Sequence, residues 1–125
     1  MADEKDPLEK EVHKGLKTYA YRTYGEYHPK QNPSGLLKMI KLTTLAMYGE
    51  AGWPDHLWLV RSKPKPAVIF IELKRVGGEC TEIQLDRHAL LRGMGFDVYV
   101  APGLTRAKQI LDQAVAKALG KKRSA

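Results

Sequence analysis

Apolar residues recur along the chain with two periods, and the longer period predicts helices. Residues 6–21 place leucine, valine and tyrosine side chains near helical spacing on one face. Asp6 and Glu9 have the spacing of an N-terminal capping box at the start of this segment. Segments 34–48 and 104–119 show similar helical patterns, so both are also predicted to be helices.

Shorter apolar runs predict three strands, at "DHLWLV" (55–60), "AVIFIELKRV" (67–76) and "FDVYVA" (96–101). The proline-rich turn "RSKPKP" between the first two strands favours antiparallel pairing. A fourth helix is predicted at 81–92, between the second and third strands. A strand, a helix and a further strand indicate a crossover. The predicted fold class is therefore α/β, a mixed β-sheet flanked by helices in the order α-α-β-β-α-β-α.

Composition suits one soluble domain spanning residues 1–125, with a basic tail at about 120–125. The formal net charge of +7 favours a polyanionic partner, above all nucleic acid. The one cysteine, Cys80, excludes an intrachain disulfide and favours a reducing, cytoplasmic setting. The polar N-terminus is unlike a signal peptide, and no apolar run reaches membrane-span length, so we expect no membrane partner.

Charged residues interrupt the clearest apolar strand, and their positions indicate chemistry. Side chains alternate along a strand, so Val68, Phe70, Glu72 and Lys74 share one face, whereas the intervening residues face the core. An ionised carboxylate in an apolar setting costs several kcal/mol, so it needs a partner or a metal. A salt bridge between Glu72 and Lys74 at a strand end is the simplest interpretation.

A second acid favours a metal site instead. Asp55 follows Pro54 at the start of the first strand, and antiparallel pairing with the next strand readily places Asp55 beside Glu72. Two carboxylates at one point attract Mg²⁺ or Mn²⁺, and the carbonyl of Leu73 is a candidate third oxygen. Such a site suits phosphodiester hydrolysis, in which Lys74 orients water or stabilises the developing charge.

The spacing of these residues resembles the PD-(D/E)XK nuclease superfamily. The motif is Pro54-Asp55 followed by Glu72-Leu73-Lys74. "GWPD", "FIELK" with its following "GG" and "TEIQ", and "GFDVYVA" resemble the VRR-NUC (virus-type replication-repair nuclease) branch over residues 52–101. The resemblance implies a restriction-endonuclease-like core, metal-binding acids at Asp55 and Glu72, a catalytic Lys74 and a metal-binding carbonyl at Leu73.

The resemblance also implies two further site residues. Glu9 matches an extra acid on the family's first helix, although His13 stands where glutamine is typical, and Glu11 and Glu26 compete with Glu9 for the role. Gln84 matches a family glutamine on the helix after the motif strand. In both cases a capping box is the alternative, with Asp6 for Glu9 and with Thr81 for Gln84. For Gln84 we expect capping and a site role to exclude each other.

Several basic residues are candidate DNA contacts. Arg75, Arg87 and Arg92 are candidate phosphate ligands, and each is otherwise an ordinary solvated charge. His88, four residues after Gln84 on the same helix face, is expected either to contact DNA or to face solvent. His56 should point away from Asp55 and is interpreted as structural.

The predicted function is metal-dependent, structure-selective cleavage of DNA, which the resemblance associates with phage or bacterial intracellular proteins. The leading hypothesis is that a homodimer resolves four-way (Holliday) junctions in DNA repair, because paired incisions need two sites related by a two-fold axis. The alternatives are a monomeric flap or nicking endonuclease, a catalytically silent DNA-binding module, and an unrelated basic adaptor. Cleavage that depends on metal separates the nucleases from the last two.

Overall fold

A computed structural model describes residues 7–42 and 51–120, with side chains from residue 10 onward. The helices in these two segments are α1 (Pro7–Tyr24), α2 (Glu82–Gly93) and α3 (Leu104–Ala118). The strands are β1 (Leu37–Lys41), β2 (His56–Val60), β3 (Ala67–Lys74) and β4 (Asp97–Pro102). Nowhere in these segments is a helix both long and apolar enough to cross a membrane. The capping box at Asp6 and nearly all of the basic tail lie outside the described residues.

The four strands form one mixed sheet in the order β1-β2-β3-β4. β2 pairs antiparallel with both β1 and β3, whereas β3 and β4 run parallel and are connected through α2. His56 lies opposite Ile71 in the β2–β3 ladder. The predicted α/β class, the antiparallel pair and the crossover are therefore confirmed.

The helix predicted at 34–48 is wrong, because Leu37–Lys41 form the edge strand β1. Residues 43–48 of that prediction lie outside the described part of the chain. Leu37 is buried, Met39 is half-buried and Lys38 is exposed, which is the alternation of a strand. A short apolar run does not distinguish the two structures, and here the five backbone pairs with β2 decide in favour of a strand.

One face of the sheet packs against α1 and α3 and carries the main core. Val12, Leu16 and Ala20, spaced four apart on α1, are all buried. The α3 contribution is Ala107, Ile110, Leu111, Ala114 and Val115, which pack with them against the sheet. Tyr19 and Tyr24 of α1 donate hydrogen bonds to the two carboxylate oxygens of Asp112 on α3, at 2.7 and 2.5 Å. These bonds join the two helices at their solvent edge.

The other face carries a smaller core under α2. Its buried residues are Phe70, Leu91 and Val98, with Trp53 and Leu57 packed against them. The predicted alternation of β3 is confirmed, since Ile69, Ile71 and Leu73 belong to the α1–α3 core and Phe70 belongs to this one. Further along the α2 face, apolar side chains give way to Glu72 and Lys74, so the two charges lie where this smaller core ends.

Candidate active site

The segment before β2 is held against α2, and this delivers Asp55 to the end of the sheet. Gly52 has φ +92°, and a Cβ there would lie 2.8 Å from Ile83 Cγ1 and 2.9 Å from the Ile83 carbonyl oxygen. Glycine is therefore required by both the close approach and the left-handed backbone. The Trp53 ring packs under the guanidinium of Arg87, with the guanidinium carbon 5.0 Å from the ring centre.

The carboxylate of Asp55 extends the β2–β3 ladder by one position. Its Oδ2 accepts a hydrogen bond from the backbone N–H of Leu73 at 2.7 Å, and the side chain is buried. Because His56 lies opposite Ile71, the same register places Asp55 opposite Glu72. Oδ1 accepts no hydrogen bond from the described residues. One oxygen of Asp55 thus fixes the side chain, and the other is available to a ligand.

Glu72 is among the most deeply buried side chains of the chain, with 1% of its surface exposed. Its Oε2 accepts from Gln84 Nε2 and its Oε1 contacts His88 Nε2, each at 3.3 Å. Both partners lie on α2, four residues apart and therefore on one helix face. These donors offset part of the cost of burying a carboxylate.

His88 does not occupy the surface position that its spacing predicted. Its side chain is 1% exposed, so the expectation that it contacts DNA or faces solvent is wrong for this structure. Burial lowers the pKa of His88, and the charges of Arg92 and Lys74 lower it further, against an opposing effect of Asp55. The imidazole is therefore neutral, and Nε2 donates a hydrogen bond to Glu72. Its Nδ1 has no hydrogen-bond partner among the described residues.

Gln84 connects the cap of α2 to the two charged residues of β3. Its Oε1 accepts from the backbone N–H of Thr81 at 2.8 Å, which completes the capping box. The same oxygen accepts from Lys74 Nζ at 2.9 Å, while Nε2 donates to Glu72. The expectation that capping and a site role exclude each other is wrong, because an amide has two acceptor lone pairs and two donor hydrogens.

Cys80 lies in the electrostatic field of this cluster. Burial raises the pKa of its thiol, and the negative charge of Glu72 raises it further. The thiol therefore stays protonated and is a poor nucleophile.

Glu9, Glu11 and Glu26, the three candidates for an additional metal-binding acid, have different positions. The side chain of Glu9 lies outside the described residues. Glu11 is exposed on α1. Glu26 forms an ion pair of 2.7 Å with Lys38 and bridges to Leu37, whose partner in β2 is Val60. Because Val60 ends β2 and Asp55 precedes it, Glu26 lies at the far end of this strand from Asp55.

Two of the candidate DNA-binding arginines donate hydrogen bonds to backbone carbonyl groups. Arg87 Nε donates to the Ala51 carbonyl at 3.1 Å, and Arg92 donates to the Val98 carbonyl at 2.8 Å. Arg75 is exposed just after β3, where it lines a cleft of about 470 Å³ with Glu11 and Leu104. Asp55, Glu72 and Lys74 do not line that cleft.

A buried histidine pair lies on the opposite side of β2 from Asp55. His13 Nδ1 and His56 Nε2 are 2.9 Å apart, and the two rings meet edge to face. The predicted orientation of His56, away from Asp55, agrees with this contact. The pairing with His13 was not predicted. Its signal in the sequence is that His13 falls beside Val12 on the apolar stripe of α1, so burial of its ring follows.

The donor atoms of the cluster match a hard divalent cation. Asp55 and Glu72 carry carboxylate oxygens. Leu73, which follows Glu72 in β3 and donates its N–H to Asp55, carries a backbone carbonyl oxygen that is a candidate third ligand. Within residues 7–42 and 51–120, no group of three His, Cys, Asp or Glu side chains is arranged to hold a metal ion. A cation here would therefore be held by two side chains, backbone oxygen, water and substrate, which is typical of Mg²⁺.

Comparisons with known proteins identify the fold. No family model matches the sequence, and no curated protein matches it. The solved structures that are similar to this chain include two VRR_NUC proteins. A "VRR_NUC domain protein" superposes with a TM-score of 0.65 at 22% identity, covering 94% of both chains. A "VRR_NUC domain" superposes with a TM-score of 0.63 at 21% identity, covering 86% of this chain and 97% of the other. The chain therefore has the VRR_NUC domain fold, a restriction-endonuclease-like α/β core.

Proposed function

We propose that a chain with this fold and this polar cluster is a metal-dependent endodeoxyribonuclease that hydrolyses phosphodiester bonds. The observation that carries the proposal is the hydrogen bond from the Leu73 backbone to Asp55, which draws this carboxylate to the strand that bears Glu72. Two buried acids and a lysine at one end of a rigid sheet are arranged for phosphate chemistry. The fold supports the same conclusion by analogy.

The proposed cofactor is Mg²⁺ or Mn²⁺, held by Asp55, Glu72 and the Leu73 carbonyl. When bound, such an ion activates water and offsets charge on the scissile phosphate. Glu9 is proposed as an additional ligand from α1. Asp55 is suited to its role because Oδ2 is fixed by Leu73 and only Oδ1 remains for coordination. Glu72 is held from the α2 side by Gln84 and His88, which limits its rotamers.

Lys74 is proposed as the catalytic lysine and Gln84 as the residue that orients it. The ammonium group of Lys74 donates to Gln84 Oε1, so Gln84 sets its direction beside Glu72. A fixed positive charge there stabilises negative charge that develops on the phosphate during hydrolysis. The amide of Gln84 therefore positions both a metal-binding acid and the catalytic lysine.

DNA is the proposed partner, and the net charge of +7 supports it. Arg75, Arg87 and Arg92 are proposed phosphate contacts around the cluster. Arg75 and Arg92 are exposed and Arg87 is half-buried, and Arg87 and Arg92 each donate to a backbone carbonyl. A guanidinium group has five N–H donors, so the bond of Arg92 to one carbonyl leaves that side chain with donors for phosphate.

The proposed substrate is branched DNA, with a four-way junction as the leading candidate. Each chain supplies one cluster, which cuts one strand at a time. Resolving a junction needs two symmetric cuts, and a two-fold homodimer provides that geometry. The alternative function is that of a monomeric flap or nicking endonuclease, which needs only one site.

The decisive test is incubation of the protein with labelled duplex, flap and four-way junction DNA in Mg²⁺, Mn²⁺ or EDTA. Cleavage in either metal and none in EDTA is expected, with paired nicks on opposing strands of the junction. Binding without cleavage would instead identify a silent DNA-binding module. Single nicks together with a monomer by light scattering would leave the nuclease assignment intact and overturn junction resolution.

A further inference from the structure

A second polar site lies between α1 and the adjoining ends of β1 and β2. It is a pocket of about 300 Å³, here called the lysine pocket. The residues that define it are Lys10, Lys14, Lys17, Lys41, His13 and His56. It is separate from the cluster of Asp55 and Glu72, because His56 projects to the α1 side of the sheet and Glu72 to the α2 side.

The charge of the lysine pocket is uncompensated within the described chain. No described carboxylate lines it, and none of its four lysines forms an ion pair with one. Glu11 lies on α1 three residues before Lys14 but does not line the pocket. The pKa of Glu26 is lowered by its hydrogen bond to Lys38 and by the charge of Lys38, and after these by the charge of Lys17. Four exposed ammonium groups converging on one concavity produce a positive potential that selects anions.

Isolated lysines on an edge strand also have a simpler role, since charge on an edge discourages strand addition. That role accounts for Lys41 on β1 but not for three lysines on α1. Nor does it account for the floor of the pocket. His13 and His56 are both buried there, 2.9 Å apart, and they join α1 to β2 directly beneath the lysines. The concavity is therefore built on a fixed junction between a helix and the sheet.

The spacing of the α1 lysines fits a phosphate backbone. Lys10, Lys14 and Lys17 lie on one helix face, and seven residues of helix span about 10 Å. A DNA strand presents a phosphate about every 3.4 Å along the duplex axis, so this row faces roughly three successive phosphates. Lys41 reaches the same space from β1, on the opposite side of the concavity.

The pocket is also adjacent to the candidate active site. His56 in its floor directly follows Asp55, and the two side chains lie on opposite sides of β2. A DNA strand with one phosphate at Asp55 would have to cross the end of β2 to reach the lysines. A small anion would occupy the lysine pocket alone. A DNA strand carries many phosphates, so it can bind the pocket and the candidate active site at the same time.

We propose that the lysine pocket binds the phosphate backbone of DNA beyond the bond that is cut, and so fixes the direction in which the strand leaves the active site. This inference rests on the proposed function, which supplies the strand. It names a surface on α1 and β1 that binds substrate independently of the metal.

The test is binding of a labelled DNA duplex in EDTA, measured by fluorescence anisotropy over a range of KCl concentrations. The variant is Lys14→Gln with Lys41→Gln, which removes one charge from each side of the pocket at exposed positions. The matched control is Lys63→Gln with Lys65→Gln, in the exposed turn that joins β2 to β3 at the other end of these strands. Both variants lose the same charge, so general attraction weakens equally.

We expect the pocket variant to bind at least about 10-fold more weakly than the control at 100 mM salt. We also expect the slope of log K against log [KCl] to fall in magnitude by about 2, one phosphate contact for each lysine. Equal losses in both variants, or an unchanged slope in the pocket variant, would overturn the proposal. Because EDTA prevents cleavage, this experiment measures binding alone. Binding as expected, together with no cleavage of DNA in Mg²⁺ or Mn²⁺, would overturn the proposed nuclease activity but not the proposed binding site.

Discussion

Both faces of β3 are buried between Ile69 and Leu73, but their side chains have different neighbours. Ile71 and Leu73 are completely enclosed by the apolar core under α1 and α3. Glu72, between them in sequence, is 1% exposed on the other face, where its neighbours are Gln84 and His88 of α2. Burial therefore does not distinguish packing from chemistry in this protein. The neighbouring side chains do, because α2 contributes polar partners to Glu72, whereas apolar side chains of α1 and α3 pack in the core with Ile71 and Leu73.

The largest contrast is expected from Glu72→Gln, which keeps the shape of the side chain and removes its charge. Cleavage should be lost, since a cation site without this charge no longer supports hydrolysis. Folding should persist, because neutral His88 can change tautomer and accept from the new amide. The measurements are cleavage in Mg²⁺ and the free energy of unfolding, with exposed Glu82→Gln as the control. Full activity of Glu72→Gln would refute the site assignment.

The opposite pattern is expected one residue away, for Ile71→Ala. Removing a fully buried side chain from the α1–α3 core should lower the free energy of unfolding by about 2–5 kcal/mol. Cleavage per folded molecule should change little. Leu85→Ala, at a half-exposed position on α2, should shift stability by no more than about 0.5 kcal/mol. Urea unfolding curves make the comparison, and equal curves for these two variants would show that this face is not the main core.

For Lys74→Ala the expected loss is in rate and not in binding. Cleavage should fall by on the order of 10²-fold, a typical effect of removing a positioned electrostatic group. DNA affinity should fall only slightly, because one of many basic residues is lost. Lys65→Ala, in the exposed turn before β3, serves as the matched control. A parallel collapse of affinity and rate would make Lys74 a docking residue.

A smaller effect is expected at Gln84, which belongs to both the cap and the cluster. Gln84→Ala and Thr81→Ala should each cost about 1 kcal/mol of stability, because each breaks the capping box. Only Gln84→Ala should also slow cleavage, by roughly 10-fold, since Lys74 and Glu72 lose their common partner. Equal cleavage rates in the two variants would reduce Gln84 to a capping residue.

Much of the sheet and of the site was predictable because strand alternation is a local property. The pattern of "AVIFIELK" placed Glu72 and Lys74 on one face before any contact was known, and the short turn after β2 set the pairing. β1 was not predictable in this way. Leu37 and Ile40 also fit helical spacing, and only pairing with β2, a contact distant in sequence, makes this segment a strand.

The contacts within the candidate site that were not predicted depend on packing between elements. The spacing of Gln84 and His88 put both residues on one face of α2, but nothing local indicated that this face turns towards Glu72. The same holds for His13 and His56, which come from α1 and β2 and meet only after the helix packs on the sheet. His88 was expected to face solvent or to contact DNA, but its side chain is buried.

The central claim is that the α2 face of β3 ends in a cation site, and Mn²⁺ binding tests it most directly. Mn²⁺ is titrated into the wild-type protein and into the double variant Asp55→Asn with Glu72→Gln, and bound metal is measured by electron paramagnetic resonance. Circular dichroism confirms that both proteins are folded. We expect the wild type to bind Mn²⁺ and the double variant to lose that binding, because two carboxylate ligands become neutral amides. Identical Mn²⁺ binding by the two proteins would contradict the account.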